Sequence, residues 1–172
     1  MIYSKIIETP IGNMLACSVA EGICVLEFCD NRDLEAEQRK LSEVFNAPIV
    51  EQSNESIILL ETQLKEYFGG RRKSFSVPLC PNGTDFQKKV WGQLLTIEYG
   101  KTITYKEQAK ALGDFKALRA VAGANGANKI PIIIPCHRVV GSQGNLTGYS
   151  GGLWRKKFLL DLESAQRQFK LV

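Results

Sequence analysis

An apolar run interrupted by two prolines, Ile130-Pro-Ile-Ile-Ile-Pro135, constrains the fold of this chain more than any other segment. Its isoleucines must be buried, whereas the prolines exclude both a regular helix and a central strand. The run therefore predicts an irregular segment that carries the next residues, Cys136 and His137, into the interior. In an extended chain these two side chains would point to opposite faces, so cooperation between them requires a turn at Pro135.

Cys136 and His137 form a candidate pair of nucleophile and base, and His137 is the only histidine in the chain. A thiol attacks as its thiolate, which is scarce near neutral pH, so a neighbouring proton acceptor gives the cysteine a chemical use. The alternative is a small buried cysteine followed by a surface histidine, because free cysteine is commonly buried and inert.

The composition is that of an ordinary globular protein, with 44% hydrophobic and 23% charged residues in a chain of 172. The first ten residues lack the apolar stretch of a signal peptide, and no run approaches membrane-spanning length, which predicts an intracellular protein with no membrane partner. The odd set of five cysteines predicts free thiols. No metal site is expected, since no C-x-x-C pair occurs and the only histidine is far along the chain from the other four cysteines, Cys17, Cys24, Cys29 and Cys80.

Charge is distributed unequally between the two halves of the chain. Residues 1–84 carry 8 Lys and Arg against 12 Asp and Glu, whereas residues 85–172 carry 14 against 6. Phosphate backbones are the natural target of such a basic field, although a solvated basic face is the alternative.

The first half predicts an α/β domain with a small antiparallel sheet and helices. Apolar runs separated by turn residues predict strands over 3–7, 14–20 and 23–28. Apolar spacing predicts a weak helix over 34–45 and a clearer one over 57–68 that ends at Gly69-Gly70. The loop that follows places a boundary near residue 82, which divides the chain into domains 1–82 and 83–172.

The second half predicts a mainly α-helical domain with a helix-turn-helix. Two capping boxes, Thr84-Asp-Phe-Gln87 and Thr104-Tyr-Lys-Glu107, open helices. The second helix closes at Gly113, and another follows from about 115 to 125. Two short helices across a glycine turn are typical of a helix-turn-helix, although such corners are common in helical domains.

The helix over 115–125 has an unusually slim surface. One side of it exposes almost no side chain apart from one long cation, and it comprises Arg119, Ala122, Gly123, Asn125 and Gly126. The other side can face a core and comprises Ala117, Leu118, Ala120 and Val121. Such a helix can approach a ligand closely and could enter a widened minor groove of DNA. Helix packing through small residues is the alternative. The glycine-rich segment 141–152 similarly predicts either an ordered pocket wall or a flexible linker.

Several motifs in order and spacing resemble the O6-alkylguanine-DNA alkyltransferases. They are Arg119-Ala-Val, Asn128, Ile133-Ile-Pro-Cys-His-Arg-Val-Val140, Gly148-Tyr-Ser-Gly-Gly152 and Glu163. The resemblance covers about residues 84–165 and implies DNA repair by single-turnover transfer of an alkyl group from O6-alkylguanine to Cys136, after base flipping. It also implies binding of double-stranded DNA through the minor groove, no cofactor, a monomer, and a cytoplasmic protein, or a nuclear one in a eukaryote.

The resemblance also assigns residue roles. It implies that His137, a bridging water and Glu163 accept the thiol proton, that Tyr105 donates to the departing guanine and that Asn128 braces the cysteine segment. The implied DNA contacts are Arg119, Ala120, Gly123, Lys106, Lys116 and Arg138. The implied pocket residues are Tyr149, Ser150, Gly151 and Val139.

Two other classes of protein compete with this interpretation. A cysteine hydrolase would normally recruit a histidine distant in sequence together with an orienting Asn or Asp, so the adjacent His137 disfavours it. A non-catalytic protein that senses alkylated DNA would need the same groove, arginine and pocket but no thiol chemistry. Replacing Cys136 with alanine separates this alternative from alkyl transfer.

Overall fold

A computed structural model describes residues 1–31 and 33–170. Two compact units make up the chain, Met1–Pro81 and Asn82–Val172. None of the helices in the described part of the chain is both long enough and apolar enough to cross a membrane.

The first unit is a four-stranded sheet with two helices. Its elements are β1 (Ile2–Ile7), β2 (Met14–Val19), β3 (Gly22–Phe28), α1 (Leu34–Phe45), β4 (Ile49–Glu51) and α2 (Glu55–Phe68). The strand order is β3-β2-β1-β4. The first three strands are antiparallel, as predicted, whereas β4 pairs in parallel with β1 and makes the sheet mixed. At three residues, β4 is too short to show the alternation by which strands are recognised.

Local capping and one close backbone contact explain the layout of this unit. Asp33 accepts the backbone N–H of Ala36 at 3.1 Å and starts α1. The Asn54 carboxamide oxygen accepts the backbone N–H of Ile57 at 3.1 Å and starts α2. At the start of β3, a Cβ on Gly22 would lie 2.4 Å from the carbonyl oxygen of Pro78, so only glycine allows this approach.

The cysteines of the first unit are packing residues. Cys17 and Cys24 are buried in the sheet core. Burial raises the pKa of each thiol to about 12, so both remain protonated. Cys29 and Cys80 are partly buried against the same core. Among the described residues, no group of three or more His, Cys, Asp or Glu side chains is arranged to hold a metal ion.

The second unit is mainly helical. Its elements are α3 (Asp85–Leu94), β5 (Ile103–Thr104), α4 (Tyr105–Ala111), α5 (Leu118–Gly126), β6 (Val139–Val140) and α6 (Leu153–Lys170). Both predicted capping boxes are present: Thr84 and Gln87 at α3, and Thr104 and Glu107 at α4. Strands β5 and β6 form a short parallel pair.

Helices α4 and α5 form the predicted helix-turn-helix across a turn at Gly113, and a 3₁₀ turn leads into α5. A small core of Val90, Ala109, Val121 and Ala124 joins them to α3. A reciprocal amide pair also joins α4 to α5. Gln108 Nε2 donates to Asn125 Oδ1 at 2.8 Å, and Asn125 Nδ2 donates to Gln108 Oε1 at 2.7 Å.

Helix α6 buries only part of the predicted apolar side. Leucine spacing predicts a side with Leu153, Phe158, Leu159 and Leu162, and Leu159 is buried, but Leu153 and Phe158 are exposed. The buried positions near the start of the helix are Arg155 and Lys156. A long cationic side chain can bury its stem when its head group finds hydrogen-bond acceptors, as these two do in backbone carbonyl groups.

Candidate active site

A buried turn carries Cys136, as the proline-rich run predicts. Its isoleucines are buried, and Ile132 adopts a φ of 73°, an unusual conformation for a β-branched residue. Cys136–Arg138 is a 3₁₀ turn in which the backbone N–H of Arg138 donates to the Pro135 carbonyl at 3.0 Å. The turn needed to bring the cysteine and histidine into one site is therefore present.

Cys136 lies at a cavity of about 150 Å³. The other lining residues come from the helix-turn-helix and from the glycine-rich loop: Tyr105, Ala122, Asn125, Gly126, Gly148, Tyr149 and Ser150. Burial raises the pKa of the Cys136 thiol, and a hydrogen bond from Asn128 Nδ2 to Sγ at 3.3 Å opposes this rise. The resting thiol is therefore protonated near neutral pH, and nucleophilic attack requires a base.

His137 and Glu163 are fully buried and joined by a hydrogen bond of 2.8 Å between Nε2 and Oε1. Burial lowers the pKa of His137, so the imidazole is uncharged near neutral pH. Burial alone would raise the pKa of Glu163, but its contacts with His137 and Arg138 lower it to about 2. Because an ionised carboxylate can only accept, Nε2 carries the imidazole proton and Nδ1 presents a lone pair.

Arg138 corrects one sequence-based assignment. The resemblance placed it among the DNA contacts, but its side chain is 7% exposed and is used inside the protein. Its guanidinium donates to Glu163 Oε1 at 2.9 Å through Nη2 and to the Ile97 carbonyl at 2.6 Å through Nη1. A phosphate on the surface therefore cannot reach it without breaking a buried ion pair.

The low pKa of Glu163 predicts a pH-dependent contribution to stability. A carboxylate whose pKa falls from its ordinary value of 4.5 to about 2 on folding stabilises the fold above pH 4.5, and this contribution disappears as the pH falls towards 2. We expect Glu163→Gln to be less stable than wild type at neutral pH, with a difference in unfolding free energy that shrinks across this interval. Urea unfolding at a series of pH values measures it.

Asp161→Asn is a matched control for that measurement, because Asp161 pairs with Lys157 on the exposed side of the same helix. An exposed pair contributes little to stability, so this variant should follow wild type at every pH. A Glu163→Gln difference that stays constant from neutral pH to pH 2 would contradict the prediction.

The other predicted catalytic residues surround the thiol. Asn128 is buried, donates to the Ile134 carbonyl at 2.8 Å and accepts the Ile130 N–H at 2.9 Å, which ties the cysteine segment to the end of α5. Tyr105 lines the cavity, and its hydroxyl donates to the Thr147 carbonyl at 2.9 Å.

The predicted pocket residues divide into two groups. Tyr149 and Ser150 line the cavity with Cys136. Gly151 and Val139 do not: Gly151 accepts a hydrogen bond from Arg155, and Val139 is buried in β6 beside Ile103. A spacing along the chain cannot distinguish a residue that faces the cavity from its neighbour that faces away.

The predicted DNA-contact residues of α5 form an open surface. Arg119, Ala120 and Gly123 are exposed, and a Cβ on Gly123 would meet no atom within 4 Å. Lys106 on α4 and Lys116 before α5 are also exposed. The open surface and the cavity meet on α5, since Ala122 and Gly126 are exposed and also line the cavity.

Sequence reasoning missed two polar features of the site. The sequence predicts Asn125 on the slim surface of the helix, but the residue is buried and lines the cavity, with its amide oriented by Gln108. Lys156 is buried, and its Nζ donates to the carbonyls of Thr147 at 3.0 Å and Gly148 at 3.1 Å, which restrains the loop that forms one wall. Neither side chain belongs to a local motif, because each finds its partner in another element.

The second unit thus combines a helix-turn-helix with a cavity that is lined by a cysteine thiol. The family model for the DNA binding domain of 6-O-methylguanine DNA methyltransferase matches residues 85–165. The family model for the ribonuclease-like domain of 6-O-methylguanine DNA methyltransferase matches residues 1–81. The chain belongs to the 6-O-methylguanine DNA methyltransferase family.

Similar proteins cover nearly the whole chain. A methylated-DNA–protein-cysteine methyltransferase of Methanosarcina acetivorans is 44% identical, covering 95% of this chain and 99% of its own. The constitutive Bacillus subtilis protein of that name is 40% identical, covering 95% and 96%. The O6-methylguanine methyltransferase of Mycobacterium tuberculosis superimposes with a TM-score of 0.81 at 37% identity, covering 96% and 94%. Another structure of that protein, in complex with DNA, gives the same score and identity over 95% and 94%.

Proposed function

We propose that this protein repairs DNA by transferring the alkyl group of O6-alkylguanine to Cys136, as a single-use methylated-DNA–protein-cysteine methyltransferase. The observation that carries the proposal is the cavity that ends at a buried thiol beside a neutral histidine and an ionised glutamate. The names of similar proteins from Methanosarcina acetivorans and Bacillus subtilis support it.

The proposed reaction is a displacement at the alkyl carbon. The thiol proton moves through a bridging water to His137 Nδ1, which is buried and has no hydrogen-bond partner among the described residues. The thiolate forms the new carbon–sulfur bond, and the carbon–O6 bond breaks with its electron pair on guanine. Glu163 stabilises the imidazolium that forms. The resulting thioether has no easy leaving reaction, so each molecule acts once.

Hydrogen bonds to the departing guanine complete the proposed site. Tyr105 donates to the base in place of the Thr147 carbonyl, and backbone amides near Ser150 receive O6, which disperses the developing negative charge. Asn128 braces the turn that presents the sulfur. We propose O4-alkylthymine as a second substrate of the same chemistry, and no cofactor takes part.

The base must leave the duplex to reach Cys136, because the thiol is buried. In the proposed complex, Ala120 and Gly123 let α5 approach the minor groove closely, and Arg119 fills the gap left by the base. Lys106 and Lys116 contact phosphates. The protein acts as a monomer in the compartment that holds the chromosome, which is the cytoplasm, or the nucleus of a eukaryote.

We expect Arg119→Ala to slow repair of duplex DNA much more than reaction with free O6-benzylguanine. The arginine is needed only while a base is out of the stack, and a free base needs no extrusion. Single-turnover rates with the two substrates give the comparison. Lys129→Ala is a control for loss of one positive charge near the end of α5. Equal losses with both substrates would show that Arg119 has no part in extrusion.

The proposed function is tested by mass. The purified protein is incubated without cofactor with a duplex that contains one O6-methylguanine, and the intact mass and the Cys136 peptide are recorded. We expect one added CH₂ per protein on Cys136 and restored guanine in the DNA. Unmodified protein that still binds the lesion would indicate a sensor, and protein that neither reacts nor binds would refute the proposal.

A further inference from the structure

Arg138 is a charged side chain in direct contact with Glu163 that the proposed reaction does not use. Its Nε lies 3.0 Å from Glu163 Oε2, and its Nη2 lies 2.9 Å from Oε1, so the guanidinium donates hydrogen bonds to both carboxylate oxygens. Its Nη1 donates to the Ile97 carbonyl at 2.6 Å. The positive charge is therefore held next to the carboxylate that contacts His137.

The same carboxylate oxygen, Glu163 Oε1, serves both Arg138 and His137. A lone buried carboxylate at 2.8 Å would favour the imidazolium form of His137. An imidazolium has no lone pair, so it cannot take up a thiol proton. A fixed positive charge on the other side of the carboxylate opposes that protonation.

The other ionisable groups around His137 do not replace this charge. Helix α6 contributes Glu163 and Lys156, and the histidine's own turn contributes Cys136 and Arg138. Tyr99 lies against Arg138, and the Tyr149 hydroxyl is neutral at neutral pH. Lys156 also disfavours the imidazolium, but its ammonium is bonded to loop carbonyls and not to Glu163.

We propose that Arg138 is a positioning residue of the transfer site, whose guanidinium neutralises Glu163 and so leaves His137 uncharged and able to accept the thiol proton. The proposal rests on the proposed function for its meaning in catalysis. Its physical content, the effect of one buried charge on one imidazole, can be measured without any reaction.

The test compares wild type with Arg138→Met in two measurements. Because His137 is the only histidine, NMR of the imidazole gives its titration without assignment of other histidines. The second measurement is the single-turnover rate with O6-benzylguanine between about pH 5 and about pH 8. We expect the His137 midpoint, and the acid limb of the rate profile, to rise by about one pH unit or more in the variant.

Two further variants separate charge from structure. Arg138→Lys keeps the positive charge, so its His137 midpoint should lie near that of wild type. Arg138→Met/Glu163→Gln removes both charges, so its His137 midpoint should be lower than that of Arg138→Met. If Arg138→Met does not fold, Arg138→Gln takes its place with the same expectation. Rates that fall equally at every pH, with an unchanged His137 midpoint, would overturn the proposal. An unreactive wild type whose variants still show the midpoint shift would refute the proposed function alone.

Discussion

We expect Cys136→Ala to abolish alkyl transfer and to leave binding to alkylated DNA intact. Alanine has no nucleophile, and the described structure places no second cysteine at the cavity. The fold should survive, because Asn128 still donates to the Ile134 carbonyl when it loses the sulfur. Intact mass after incubation with the O6-methylguanine duplex measures transfer, and a gel-shift titration measures binding.

Cys29→Ala is the matched control, since it removes a partly exposed thiol from the first unit. This variant should still gain one CH₂ per molecule on Cys136. A modified Cys136→Ala protein, or an unmodified Cys29→Ala protein, would show that the transfer chemistry has been assigned to the wrong sulfur. Loss of binding in Cys136→Ala would instead indicate that the thiol contributes to recognition of the lesion.

Asn128→Leu should destabilise the fold. Leucine leaves the buried Ile130 N–H without a partner, whereas the Ile134 carbonyl loses the Asn128 donor but still accepts the Cys136 N–H at 2.8 Å. An unsatisfied buried polar group costs about 1 to 3 kcal/mol, so the Ile130 N–H predicts a loss of about that size. Urea unfolding measures the loss, and the rate with O6-benzylguanine should fall because the turn that presents Cys136 loosens.

Asn145→Leu is the control for this substitution, because it makes the same chemical change at an exposed position of the glycine-rich loop. Its unfolding free energy should lie within about 0.5 kcal/mol of wild type. A loss of similar size in both variants would show that the effect does not come from the buried hydrogen bonds of Asn128.

The elements that were predicted from the sequence have local causes. The capping box of Thr84 and Gln87 lies within four residues. Strands β1, β2 and β3 are short apolar runs separated by turns. The position of the thiol could also be predicted, because the prolines and isoleucines of 130–135 permit little except a buried, irregular segment. Nearby residues suffice for such predictions, since their geometry is set by bonds and steric contact.

The elements that were missed depend on partners far along the chain. Strand β4 exists because β1 offers it a free edge, and Lys156 is buried because the carbonyls of Thr147 and Gly148 receive its ammonium group. Gln108 and Asn125 are polar residues in helices, and no local pattern indicates that they bond to each other.

The sequence by itself determined the class of fold, the capping boxes that open α3 and α4, and the pairing of one cysteine with the only histidine. Only the tertiary structure decided which charge serves which purpose. Arg138 resembles a surface cation in the sequence, yet it is buried against Glu163. The physical reason is that a charge acts through its surroundings. Whether a guanidinium meets a phosphate or a buried carboxylate depends on segments that the chain brings together only when it folds.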